Sequence, residues 1–163
     1  MSRICFYIPM DPYLAQWFIN DMGGEYPVSL RRGSIERKFV ELYISTRPED
    51  ATPSLPGDGM VAVEVPSIRG LYTESYCYLA PNYVETLIKI IRDRFDVALW
   101  QDLHHFGRIG KRQDYLIRAW MEKNGIEDVG SNWDTIAKRY QRQRLVYIKR
   151  QWSKVHYKPK KSH

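Results

Sequence analysis

Residues 135–163 contain no Asp or Glu, while ten Lys or Arg residues fall in the same stretch. A merely solvated helix face usually mixes signs, so a segment with one sign missing points to a polyanionic partner. Cysteine is almost as scarce. Two thiols, Cys5 and Cys77, are too few for a disulfide scaffold and lie in no metal-ligand spacing. They read as half-buried thiols of a protein that works in a reducing cytoplasm. Long apolar runs are missing as well. No stretch approaches the roughly 20 residues that cross a bilayer, and the first residues lack the apolar core of a signal peptide. A cytoplasmic protein without membrane contact is the expectation.

The 163 residues are 44% hydrophobic and 13% aromatic, enough for a packed core without staples, in one domain or two small ones. Charge divides the chain more sharply than composition does. Residues 1–80 carry a net −3 and residues 81–163 a net +9. A basic C-terminal half that meets an anion, and an N-terminal half with another task, follow from that asymmetry.

Periodicity divides the chain at the same place. In the first part, 4–8 reads as a short strand of aromatic and β-branched residues. Asp11-Pro12 then starts a helix whose Leu14, Trp17, Phe18 and Met22 fall at helical spacing before Gly23-Gly24 ends it. Residues 37–46 (Phe39, Val40, Leu42, Tyr43, Ile44) are strand formers, so a strand is expected there, with a helix as the alternative. A Pro/Gly-rich loop leads to a further strand at 60–65, and 67–80 is irregular and rich in tyrosine. From Pro81 the period becomes helical. Val84, Leu87, Ile88, Ile91, Phe95, Ala98, Leu99, Leu103 and Phe106 predict one long helix, or two with a break near Asp96. Gly107 and Gly110 turn the chain into a helix over 112–124, which closes with the Schellman-type Asn124-Gly125-Ile126.

The last helix has a start signal at Ser131, a serine N-cap with Asp134 three residues on. Projected at 100° per residue, Trp133, Ile136, Ala137, Tyr140, Tyr147, Ile148, Trp152 and Val155 fall on one half of the wheel. Lys138, Arg139, Arg142, Lys149, Arg150 and Lys154 fall on the other. Lys138, Arg142 and Lys149, at i, i+4 and i+11, line one side and suit several phosphates at once. Arg139, Arg142 and Arg144 have the fork that matches guanine in the major groove. Lys158, Lys160 and Lys161 form a basic tail, 158–163, beyond the helix-ending Pro159. The two last helices make a loose helix-turn-helix-like pair with 132–144 as the recognition element, although the seven-residue connection is longer than that motif uses.

Chemistry is harder to find. His104-His105 point about 100° apart on a helix and have no third ligand nearby. Asp93, Asp96 and Asp102 share a helical stretch in which Arg92, Arg94 and solvent account for them. Gly107-Arg108-Ile109-Gly110-Lys111 lacks the phosphate-loop pattern and reads as an interhelical turn. No catalytic, cofactor or metal site is therefore expected, and no enzymatic activity.

Residues 95–100 (Phe-Asp-Val-Ala-Leu-Trp), 119–128 (Ala-Trp-Met-Glu-Lys-Asn-Gly-Ile-Glu-Asp) and 132–144 together resemble small uncharacterised basic proteins of bacterial prophages and integrated mobile elements. The resemblance covers the C-terminal half and implies a helper of mobile-element DNA, with no functional residues to carry over. The expectation is an α+β protein: a mixed region over 1–80 offering a dimer or protein contact through its sheet edges, then a basic helical region over 81–163 that binds DNA or, second, RNA. The alternative is a protein-interaction or phage-assembly module whose basic helix meets an acidic protein.

Overall fold

Local signals set most of the element boundaries. The computed structural model of the chain describes residues 3–107 and 112–156. Its order is β1 (Cys5–Pro9), α1 (Pro12–Asp21), α2 (Ile35–Tyr43), β2 (Met60–Glu64), α3 (Pro81–Gly107), α4 (Gln113–Lys123) and α5 (Asn132–Val155). The protein is α+β: a two-stranded antiparallel sheet near the N-terminus, followed by a mostly helical region.

In β1, Phe6 and Ile8 alternate into the core, and they pair with Val63 and Val61 of β2. The far side of β2 is taken by Val28, whose N–H donates to the Ala62 carbonyl and whose carbonyl accepts from the Glu64 N–H. On the outer side of β1, the Ser54 hydroxyl accepts from the Tyr7 N–H at 2.9 Å and donates to the Tyr7 carbonyl at 3.3 Å. At these positions the sheet presents no bare ladder to a second chain.

The expected strand over 37–46 is instead the helix α2. Its start is fixed by Ser34, whose hydroxyl accepts from the Arg37 N–H at 3.2 Å, with Glu36 as the first-turn acid. Helical spacing then puts Phe39 and Tyr43 side by side, with Val40 buried. Strand propensity lost to a cap and to packing on α3.

α3 runs unbroken past Asp96 and is the axis of the molecule, with α1, α2, α4 and α5 all packed on it. Leu87, Ile91, Phe95, Leu99 and Leu103 are all buried along it. Phe95 is the hub: Tyr13 and Trp17 of α1 and Trp120 of α4 meet it edge to face, with ring centres 5.1–5.5 Å away. One core thus joins residues from both sides of position 80. The shift in charge and period there is a change of surface and of element type within a shared interior.

α4 ends as its sequence predicts. The Ile126 N–H reaches back to the Met121 carbonyl and the Gly125 N–H to Glu122, with Gly125 at φ +71° and Ile126 buried. Glycine is doubly required here, because a Cβ at 125 would sit 3.1 Å from Asn20 of α1.

Candidate nucleic-acid interface

α5 is 24 residues long, roughly 36 Å at 1.5 Å per residue. Its first turns are anchored. It begins at Asn132 as expected, but the Ser131 hydroxyl makes no capping bond. The start is held instead by buried Asn132, whose amide donates to the Glu127 carbonyl at 3.0 Å. Ile136, Ala137 and Tyr140 follow into the core, and the Tyr140 hydroxyl donates to the Leu103 carbonyl. Tyr147 still faces α3, where Trp100 stacks on His104 and both rings meet it. Tyr140 and Tyr147 are accordingly packing residues and not platforms for bases.

Arg139 stands apart from the other basic residues assigned to the partner-facing side. Its guanidinium forms a two-pronged pair with Asp96 of α3 at 2.7 and 2.8 Å, with only 22% of its side chain exposed. Hydrogen bonding to Asp96 raises its pKa further, against the opposing effect of burial. The wheel set Arg139 among exposed cations because it lies at the margin of the buried face, and only the tertiary structure places Asp96 opposite it. A guanidinium so engaged is satisfied before any phosphate arrives.

The remaining cations of α5 are different. Lys138, Arg142, Arg144, Lys149, Arg150 and Lys154 are all exposed, and none makes an ion pair among the described residues. Elsewhere, Arg3, Arg31, Arg37, Lys89, Arg94, Arg112 and Arg118 each have a carboxylate partner, whereas Arg32, Lys38, Arg47, Arg69, Arg92 and Lys123 are in no ion pair among the described residues. Lys138, Arg142 and Lys149 share one side of the helix, facing away from the core. Lys158, Lys160 and Lys161 lie outside the described residues.

The apolar half of the wheel needs a second correction. Ile148, Trp152 and Val155, expected in the core, are 49%, 64% and 79% exposed, and Leu145 joins them at 59%. They sit roughly 120° around the helix from the face that holds Ile136, Tyr140 and Tyr147. The core ends near Tyr147, and every residue from 148 to 156 is exposed. A groove of about 460 Å³ lies between this helix and α3, where Val97, Trp100, Val146 and Tyr147 are flanked by Arg142 and Arg150.

Residues considered for chemistry have structural partners. Asp93 pairs with Lys89, Asp96 with Arg139, and Asp102 accepts from the Trp120 indole at 2.8 Å, so the expected partners Arg92 and Arg94 are replaced by these, while Asp93 and Asp102 are exposed to solvent as expected. Among the described residues no cluster of three or more His, Cys, Asp or Glu is arranged to hold a metal ion. No described helix is long and apolar enough to cross a membrane. Residues 108–111, where an interhelical turn is expected, lie outside the described residues. Helices α4 and α5 do pack together across 124–131, yet the first turns of α5 face the core, and four of its six exposed cations, Arg144, Lys149, Arg150 and Lys154, lie in its second half. Comparison with family models, curated proteins and solved structures finds no match.

Proposed function

We propose that the protein binds nucleic acid without catalysis, DNA in preference to RNA, through the exposed cations of α5. The observation that carries this reading is the row Lys138, Arg142 and Lys149, with Arg144, Arg150 and Lys154 around it, exposed and in no ion pair among the described residues, on a helix free of acid after Asp134. Unpaired cations at helical spacing neutralise several phosphates together and release their counterions, which is the main source of affinity for a duplex. Contacts of this kind position a protein on the backbone, and Arg142 and Arg144 are the groups able to add a base edge. The tail residues Lys158, Lys160 and Lys161 extend the basic stretch. Resemblance to proteins of prophages and mobile elements makes mobile-element DNA the target in this proposal. Salt titration of duplex binding tests it: engagement of about four to six phosphates gives a log-log slope of about −4 to −5. A salt-independent affinity, or none at low salt, would overturn the reading.

A further inference from the structure

Leu145, Ile148, Trp152 and Val155 are separated by three, four and three residues, which are successive a and d positions of two heptads. All four are exposed, on a strip pointing away from the core. Seen along the helix, the strip lies roughly 80° from the row of Lys138, Arg142 and Lys149, so the apolar strip adjoins that row along the Lys149 edge. Four large apolar side chains aligned on a helix that extends past the core form an unpartnered seam. Its spacing selects another helix as the occupant, because only a helix offers holes at the matching interval.

Charge then decides which helix. In heptad terms the seam is flanked by Arg144 at g and Lys149 at e, followed by neutral Gln151 and by His156. A second copy in parallel would set Arg144 against Lys149, and an antiparallel copy would set like residue against like. Both arrangements repel. A partner helix with acidic e and g positions converts every one of these repulsions into a pair. We propose that the outer half of α5 docks an acidic amphipathic helix of another protein, its apolar a and d residues against Leu145, Ile148, Trp152 and Val155 and its carboxylates against Arg144 and Lys149. Arg144 and Lys149 serve both surfaces, but the apolar seam itself is no phosphate ligand, so variants of Leu145 and Ile148 separate this proposal from the nucleic-acid reading.

The test uses the full chain and two fluorescein-labelled synthetic helices about three heptads long. Both have Leu at a and d; one has Glu and the other Lys at e and g. The Glu helix binds in the micromolar range by anisotropy, and the Lys helix does not. Leu145→Gln with Ile148→Gln weakens binding at least about tenfold, the scale expected from losing one or two buried aliphatic contacts. Arg144→Glu with Lys149→Glu exchanges the preference, releasing the Glu helix and capturing the Lys helix. Because all four positions are exposed, thermal melts of the variants match the wild type. Duplex binding by the Leu145→Gln/Ile148→Gln variant stays at the wild-type level, which separates failure here from failure of the nucleic-acid reading. The proposal is overturned if the Glu helix does not bind, or if its binding ignores the seam variant. It is equally overturned if sedimentation reveals a dimer that the seam variant dissolves, or if phosphatidylserine vesicles and not the Glu helix engage Trp152.

Discussion

The two ends of α5 treat the same kinds of residue in opposite ways. In its first turns Ile136 and Tyr140 are buried and Arg139 is clamped by Asp96. Beyond Tyr147, Ile148 and Trp152 face solvent, while Lys149 and Arg150 are exposed and in no ion pair among the described residues. The first half therefore belongs to the core of the protein. The second half is a helix that continues because propagation is easy once the first turns are fixed, and it presents its side chains outward. Residue type and helical position alone do not separate these roles. What separates them is where α3 and α4 stop providing a surface.

Matched substitutions within the one helix sharpen that contrast. The largest difference is expected between two isoleucines. Ile136→Ala should cost about 2–5 kcal/mol by urea unfolding, the range for emptying a packed site, whereas Ile148→Ala should stay within about 0.5 kcal/mol. Two arginines make the next pair. Arg139→Ala should cost about 1–2 kcal/mol, because Asp96 is left partly buried without its cation, the figure being discounted for the partial exposure of both groups. Arg142→Ala should leave the melting temperature unchanged. Duplex binding reverses their order: Arg142→Ala should reduce the magnitude of the salt slope by about one, while Arg139→Ala leaves it unaltered. The smallest effect is kinetic. Backbone amides of 149–155 should exchange with solvent faster than those of 136–143, and equal protection in both halves would mean that the outer turns have a partner not seen here.

Much of the fold is legible in the sequence where a local signal and the tertiary environment agree. Pro12 and Pro81 open their helices, and Gly125 closes α4 with both expected hydrogen bonds. The row Val84, Leu87, Ile91, Phe95, Leu99 and Leu103 marks one buried face of α3 without needing to know what covers it. At 37–46 the β-branched and aromatic residues suggested a strand, and the better signal was Ser34 followed by Glu36, a cap and a first-turn acid. The wheel of α5 failed for another reason. Period assigns residues to faces, but it does not say how far along the helix a face remains covered, so Ile148, Trp152 and Val155 were grouped with Tyr140. Arg139 was misplaced because its partner Asp96 lies 43 residues away in the sequence. Long-range charge pairing leaves no local pattern.

Whether the exposed cations of α5 meet a polyanion is decided by one titration. A labelled duplex is titrated across a range of salt with the wild-type protein and with a Lys138→Ala/Arg142→Ala/Lys149→Ala variant. Arg139 is left intact so that the fold is undisturbed. The expected result is micromolar or tighter binding at low salt that falls with a log-log slope of about −4 to −5, and a variant that melts like the wild type but has lost most of that affinity. Absence of binding at low salt, or a variant that binds as tightly as the wild type, would contradict it.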